Sequence, residues 1–369
     1  MSAIGKLASI RKLTTWVAIP EVSPAEDYGF FGPDSVTWKV WSYPTSLTIG
    51  FQRAVVIEEL DPALVAAVDK THDIYARPRT RYDRTLRYFA MVAFDDSRAT
   101  TKVADVLVKI HSKAIGDDPV TGARYDANDP ASQLWIHLTA WHSILMAYEK
   151  YGPGRLSEVQ ERQYWAECAV AAELQTCDPA DVPRTRDGIR NYFESMRPQL
   201  IGSDIARQAM NHLLCAEVML PEMPTVLRPA TKIVSAFLRR GTLATMPVWM
   251  REMSGLGTSR VLDALVRIPL RLSFGTIAAS TRLQLILLRL VSPMTVPVAG
   301  RVLLAVPPTN PDLTTPRAAQ QRFGYDEPTR AHLDLREKQR VRVFGEGIEP
   351  SDEGLIESQP MLGKVGQRV

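Results

Sequence analysis

Residues 129–151 read DPASQLWIHLTAWHSILMAYEKY, and this stretch decides the class of fold. Asp129 is a residue type that caps helix N-termini, and Pro130 suits the first helical position because its missing N–H needs no partner there. Apolar residues then recur at helical spacing as far as Tyr148, and Gly152 follows as a stop signal. The pattern predicts one long helix, the clearest in the chain.

The segments on both sides of this helix show helical periodicity as well, and no regular alternation of strands and helices appears. Asp61 and Pro62 interrupt one apolar pattern and divide it into two short helices. Gly116 is the expected stop of another helix. The predicted helical stretches around the long helix are 51–73, 79–94, 97–116, 157–175, 186–200 and 205–219. We therefore predict an all-α protein.

The length of 369 residues suits one multi-helix domain with extensions at both ends. We expect a short N-terminal segment over 1–30 and a helical domain over 31–307. From 308 to 369 Pro, Arg, Asp, Glu and Gln prevail, so this part is predicted to be a surface arm that becomes disordered after about 350. The hydrophobic fraction of 45% is enough to enclose a buried cofactor or ligand.

The charge and the cysteine content of the sequence indicate which partners and which cellular compartment to expect. The 44 Lys and Arg against 41 Asp and Glu leave a formal charge of +3, and the basic residues are spread along the chain, so nucleic acid is not an expected partner. Three cysteines without a CxxC pair favour a reducing compartment. The first fifteen residues lack the apolar core of a secretory signal. We expect a cytoplasmic protein.

The most apolar region lies at 281–307, but Arg282, Arg289 and Arg301 interrupt it. A helix that crosses a bilayer needs about 20 mostly apolar residues, so no span is predicted there. Two alternatives stay open for this region. Its helices either pack into the core, or lie on a membrane surface as a peripheral contact with the arginines on the polar face.

Several common chemistries find no motif in this chain. The dinucleotide fingerprint, the phosphate-binding loop and the HExxH zinc helix are absent from the sequence. A di-iron bundle would need two Glu-x-x-His pairs, and the nearest imitation, Asp69-x-x-His72, stands alone. There is no Gly-x-Ser-x-Gly elbow for a serine hydrolase.

Two consecutive predicted helices carry the polar residues of greatest interest. Arg81 and Thr85 lie four residues apart, one turn above each other on an otherwise apolar face. His111 lies on the apolar face of the next helix and is expected to point inward. Each residue also has a purely structural interpretation. His111 could be a hydrogen-bonded core histidine, Arg81 could pair with a carboxylate, and Thr85 could bond to its own helix backbone.

The order of these residues resembles the DUF2236 family, which includes rubber oxygenase and the fungal endoplasmic-reticulum oxygenase of mycophenolic acid biosynthesis. The similarity extends more weakly from about residue 32 to 344. The family signature is Arg-x-x-Arg-Thr, then a helix with His-x-x-x-x-Gly, then a Tyr-x-Ala-x-Asp-Pro loop that leads into Leu-Trp-Val-His. The matching positions are Arg81, Arg84, Thr85, His111, Gly116, Tyr125, Ala127, Asp129, Pro130, Leu134, Trp135, Ile136 and His137.

The resemblance implies haem b held by one histidine and a reaction of dioxygen with a hydrophobic, lipid- or isoprenoid-like substrate. The iron ligand maps to His111, and a distal polar pair with catalytic and cofactor-binding roles maps to Arg81 and Thr85. His137 is assigned a place in the cofactor pocket or a structural hydrogen bond. The electron donor stays unspecified. A haem- or lipid-binding protein without turnover and a haem peroxidase are the alternative functions.

One position departs from the family pattern. Many members carry His-Pro where this chain has Asp61-Pro62, directly after Glu58 and Glu59. A carboxylate is thought to act as the catalytic base in the rubber-cleaving branch. The acidic cluster could supply such a base here, but the sequence does not identify which residue it is.

Overall fold

The computed structural model describes residues 21–71, 73–221 and 223–352. The protein is predominantly α-helical, with 66% of its residues in helices. The α-helices of the described residues up to the middle of the chain are α1 Val36–Trp41, α2 Phe51–Glu58, α3 Pro62–Thr71, α4 Asp73–Ala76, α5 Pro78–Phe94, α6 Ser97–His111, α7 Pro130–Tyr151 and α8 Glu158–Ala172. The later ones are α9 Arg186–Met196, α10 Asp204–Leu213, α11 Arg228–Thr245, α12 Val248–Met253, α13 Arg260–Ala278, α14 Thr281–Val291, α15 Val296–Leu303, α16 Pro316–Phe323 and α17 Leu333–Arg340.

Shorter elements connect these helices. Two strands, β1 Ile115–Asp117 and β2 Arg124–Asp126, form an antiparallel hairpin in which Gly116 pairs with Tyr125. The π-helical turns are Ser46–Gly50 and Val341–Gly345, and the 3-10 turns are Pro179–Asp181, Ala216–Val218, Thr225–Leu227 and Pro293–Thr295. The prediction of an all-α protein is confirmed, with this hairpin as the exception within the described ranges.

Helix α7 is the long helix predicted from residues 129–151, and it lies at the centre of the fold. Asp129 caps its N-terminus by accepting hydrogen bonds from the backbone of Ala131 and Ser132, each at 3.0 Å. Trp135 and Trp141 of this helix are fully buried. Helices α1, α2, α8, α11 and α13 pack around it. A helix covered on so many sides needs apolar residues all round, as its sequence provides.

The break between α2 and α3 has a local cause. Pro62 occupies the first position of α3, and the Asp61 side chain accepts hydrogen bonds from the backbone of Ala63 at 2.8 Å and Leu64 at 3.3 Å. Such a cap satisfies N–H groups that have no partner inside the helix. The two short helices predicted for 51–73 are therefore confirmed, and Asp61 is a capping residue.

The end of α6 corrects a predicted boundary. The glycine signal placed the helix end at Gly116, whereas α6 ends at His111 and Gly116 lies inside β1. A side chain at Gly116 would come within about 3.0–3.2 Å of the Tyr125 ring. Gly116 thus permits close approach of the two strands and does not terminate the helix.

The C-terminal arm predicted from residue 308 is folded within its described part. Thr309 donates from its backbone to the Ala25 carbonyl at 2.9 Å, and Tyr28 donates to Asp312 at 3.0 Å, so the arm is bonded to the N-terminal segment. Helix α16 packs against α6 and buries Ala319. The disorder predicted after about residue 350 concerns mainly residues 353–369, which lie outside the described residues. Most of the predicted N-terminal segment 1–30, namely residues 1–20, lies outside them as well.

Region 281–307 contains α14 and α15, which pack on each other. Leu285 and Leu288 are buried, and Arg301 forms an ion pair with Asp95 in which both side chains are largely buried. This supports core packing for most of the region and removes Arg301 from the predicted membrane surface. Among the described helices, none is long and apolar enough to cross a membrane by itself. Helices α13 and α14 are long and apolar enough only when taken together, and the chain bends by 109° between them.

The buried aromatic cluster around α7 generates a stability prediction. Trp141 lies 5.2 Å from Trp41 and 5.1 Å from Tyr164, measured between ring centroids. We expect Trp141→Ala to lower the free energy of unfolding by about 3–5 kcal/mol, since it leaves a cavity that the packed neighbours cannot fill. Urea denaturation followed by circular dichroism measures the loss. The control is Trp249→Ala, at a half-buried tryptophan, and an equal loss there would contradict the role of the cluster.

Candidate functional site

Three of the predicted site residues lie on two helices that pack on each other, α5 and α6, and the fourth, His137, lies on α7. Arg81 and Thr85 are half-buried and lie one turn apart on α5. The hydroxyl of Thr85 donates to the backbone carbonyl of Arg81 at 2.9 Å. This bond is the structural interpretation considered for Thr85, and it leaves the hydroxyl oxygen able to accept a further hydrogen bond.

His111 is the last residue of α6 and is half-buried. Burial lowers its pKa to about 4, the charge of Asp126 opposes this shift, and the positive charge of Arg81 adds to it. The ring is therefore neutral at physiological pH. A neutral imidazole has a nitrogen lone pair to offer, which is the form that binds a metal.

The two ring nitrogens of His111 differ in their hydrogen-bond contacts. Nδ1 lies 3.5 Å from Nε2 of Gln133, an amide nitrogen that donates to the carbonyl of Ala127 at 2.6 Å. A separation of 3.5 Å is too long to fix the tautomer of the ring. Within the described ranges no protein group forms a hydrogen bond with Nε2 of His111. The ring therefore has one nitrogen available for a ligand.

Two carboxyl groups at the end of α2 share the electrostatic environment of Arg81. Burial raises the pKa of Glu58 and of Glu59 to about 8, and the positive charge of Arg81 partly opposes the shift in both. Oε2 of Glu59 is buried without a hydrogen-bond partner among the described residues. The structure thus associates Glu58 and Glu59 with Arg81, while Asp61 of the same acidic cluster caps α3. Their adjacency to Asp61 was the only signal in the sequence.

His137 forms a structural hydrogen bond, which is one of the two roles considered for it. Its Nε2 donates to the carbonyl of Cys168 at 2.8 Å, and burial lowers its pKa to about 4. Nδ1 is buried and has no partner in the part of the chain that the structure describes. The role of His137 in a cofactor pocket stays a prediction. Gln133, one turn before it, was not identified from the sequence, where nothing distinguishes it from other helical polar residues.

The side chains that could bind a metal indicate whether the site fits haem. In the described ranges no group of three or more His, Cys, Asp and Glu side chains could hold a metal ion, and His72 lies outside them. Haem iron needs fewer protein ligands, because the porphyrin supplies four nitrogens and a proximal histidine is enough. His111, neutral and with Nε2 unbonded, is a side chain that fits this requirement.

A mostly apolar pocket lies beside α5, on the face next to the one that carries Thr85. Leu86, the residue after Thr85, lines it together with Ala90 and Phe94, which follow at successive turns. Helix α1 and the π-helical turn that precedes α2 contribute Trp41 and Leu47. Ser42 and Ser46 are the polar members of the lining, and the free volume of about 20 Å³ is about enough for one water molecule.

The match to a family model agrees with the resemblance. Residues 38–279 match the family described as the catalytic domain of ER-bound oxygenase mpaB/B′ and rubber oxygenase. No curated protein matches the chain. The solved structure of latex clearing protein in its closed state is similar at 17% sequence identity and a TM-score of 0.43, over 83% of this chain and 81% of the other.

The raised pKa of Glu59 generates a pH prediction. A carboxyl whose folded pKa of about 8 exceeds its unfolded value of 4.5 favours folding below 4.5, and this contribution is lost as pH rises towards 8. We expect Glu59→Gln to match wild type at pH 4 and to unfold at higher temperature than wild type at pH 8. The gain is at most about 1.4 kcal/mol per pH unit.

Thermal unfolding at a series of pH values measures this difference. The control is Glu252→Gln, at an exposed position, which we expect to parallel wild type across the range. A constant difference between Glu59→Gln and wild type from pH 5 to pH 8 would show that Glu59 does not titrate in this window.

Proposed function

Because the chain belongs to the family of mpaB-type and rubber oxygenase catalytic domains, we propose that it is a haem-b-dependent oxygenase. Its substrates in this proposal are dioxygen and a hydrophobic, lipid- or isoprenoid-like molecule. The observation that carries the proposal is the state of His111, which is neutral and has Nε2 unbonded among the described residues. In this form His111 would hold the haem iron, which when bound supplies the capacity to activate dioxygen.

Arg81 supplies a fixed positive charge beside His111 and the carboxyl pair. A guanidinium stays protonated at any physiological pH and is suited to an anionic partner. In the proposal it stabilises negative charge that develops on dioxygen, or holds a haem propionate. The hydroxyl of Thr85, one turn away, offers an acceptor on the same face.

Glu58 and Glu59 are the candidates for proton transfer. A pKa of about 8 keeps each carboxyl mostly protonated at neutral pH while leaving a usable ionised fraction. General acids and bases work best with a pKa near the operating pH. We therefore propose that one of the pair moves a proton during the reaction. Asp61 is unsuited because its oxygen caps a helix.

The substrate class follows from the family, whose description names mpaB-type and rubber oxygenases. The pocket beside α5 is lined mainly by apolar side chains such as Leu47, Leu86 and Phe94, together with Ser42 and Ser46. Its free volume of about 20 Å³ holds about one water molecule, so the pocket supports the apolar character of this region and does not define the size of a substrate. We therefore propose a lipid- or isoprenoid-like substrate over a charged one.

The iron ligand is tested with His111→Ala. We expect this variant to lose haem, seen as loss of the Soret band after reconstitution with hemin, because it removes the imidazole that is proposed to hold the iron. Circular dichroism should show an unchanged helical content. The control His137→Ala removes another imidazole whose pKa is lowered to about 4, and it should retain haem. Stoichiometric haem in His111→Ala would refute the assignment.

The reaction is tested on the haem-loaded wild type with an isoprenoid alkene such as squalene under ¹⁸O₂. Mass spectrometry should detect products that contain ¹⁸O. Haem binding without labelled product from squalene or from unsaturated fatty acids would favour a binding protein. Product formation that requires hydrogen peroxide in place of dioxygen would favour a peroxidase.

The role of Arg81 is tested with Arg81→Met, which keeps an unbranched apolar stem and removes the guanidinium charge. If Arg81 acts on dioxygen, haem stays bound and the rate of product formation falls about 10- to 150-fold, the equivalent of a charge-assisted hydrogen bond worth about 1.5–3 kcal/mol. If Arg81 holds a propionate, haem affinity falls instead. Thr85→Val is the companion variant. Unchanged haem affinity and rate in Arg81→Met would leave Arg81 a structural residue.

A further inference from the structure

Helix α13 presents apolar side chains on two opposite faces. Val266, Leu270 and Phe274 are buried and form its inner stripe. Each residue of a helix is rotated by about 100° from the one before it, which places a second apolar set on the side turned away from the core. That set is exposed: Val261 at 70%, Leu265 at 64%, Ile268 at 69% and Leu272 at 67%. A soluble protein rarely leaves such a face uncovered without a partner for it.

Basic side chains border this outer apolar face. Arg260, Arg267 and Arg271 are exposed, and the same rotation places all three on one flank of α13, between the buried and the outer stripes. Helix α11 packs beside α13 and exposes Ile233 at 60% and Val234 at 47%. Two neighbouring helices thus each expose apolar side chains.

The charge of this part of the chain differs from that of the whole. Residues 226–291 contain ten Lys and Arg against two Asp and Glu, a formal charge of +8, whereas the complete chain has +3. One of the two acids, Asp263, is engaged by Arg240 and Arg251. The other is Glu252. The region thus combines an exposed apolar face with an excess of positive charge.

We propose that α13, with α11 beside it, docks onto the surface of a bilayer that contains anionic lipids. The outer apolar stripe would enter the boundary between headgroups and acyl chains, and the flanking arginines would reach the lipid phosphates. Anionic headgroups complement the positive charge, which a second copy of the same basic face does not. Neither α13 nor α14 is long and apolar enough to cross a bilayer by itself, which agrees with a contact at the membrane surface.

This placement revises the peripheral contact expected at 281–307. The outer face of α13 precedes that region, and Arg301 is paired inside the fold. The inference stands apart from the haem site, because none of the residues that form the docking face lies on α2, α5 or α6. A haem-loaded protein that fails to bind vesicles and a vesicle-binding protein that fails to bind haem are distinguishable outcomes.

Co-sedimentation of the full chain with vesicles tests the proposal. We expect binding to phosphatidylcholine mixed with phosphatidylglycerol, weaker binding to phosphatidylcholine alone, and release as salt rises. The double variant Leu265→Glu/Ile268→Glu should bind the mixed vesicles at least about tenfold more weakly, because two charges would enter the apolar boundary. Arg260→Gln/Arg267→Gln/Arg271→Gln should lose most of the salt dependence.

The matched control is Val159→Glu on α8, where the replaced side chain is 66% exposed. It should bind like wild type, and circular dichroism should show that all variants are folded. Absence of sedimentation at low salt, or equal binding by the double variant, would overturn the proposal. A dimer in light scattering that Leu265→Glu/Ile268→Glu dissociates, without vesicle binding by wild type, would also overturn it and assign the face to contacts between copies.

Discussion

The burial of α7 is the constraint on which the rest of the structure depends. This helix is apolar on every side, so other helices must surround it before its tryptophans leave water. Helices α1, α2, α8, α11 and α13 meet this requirement. Their packing places α2 with its carboxyl pair on one side of the centre. Gln133, at the start of α7, reaches the imidazole at the end of α6.

The same removal of water sets the chemistry of the site. A low-dielectric surrounding favours the uncharged form of every titratable group, which lowers the pKa of a histidine and raises that of a carboxylic acid. His111 is thereby a neutral base with a lone pair, and Glu59 is an acid that keeps its proton to about pH 8. Arg81 opposes the shift of the acids and reinforces that of the histidine. One physical effect thus accounts for the state of both the proposed iron ligand and the proposed proton-transfer group.

Helix α13 has apolar side chains both in the core and on the surface of the protein. The inner stripe of α13 contributes to the core, while its outer stripe needs a different environment. An interfacial position on a membrane would bring the protein to the phase where lipid- or isoprenoid-like molecules are dissolved. The proposed substrate and the proposed docking surface are therefore chemically compatible, although they rest on separate residues.

The sequence by itself determined the local elements and the identity of the site candidates. Periodicity, the cap at Asp129 and the break at Asp61-Pro62 placed the helices, because these signals act between residues close in the chain. The spacing of Arg81, Thr85 and His111 indicated the family. Only the tertiary structure decided what depends on residues distant in sequence. In the folded chain the charge of Arg81 acts on Glu58 and Glu59, and Gly116 lies in a hairpin. Arg301 forms an ion pair with Asp95, and the outer face of α13 is exposed. Burial and charge pairing are properties of the packed chain, and a periodic pattern does not specify which of two apolar faces is turned inward.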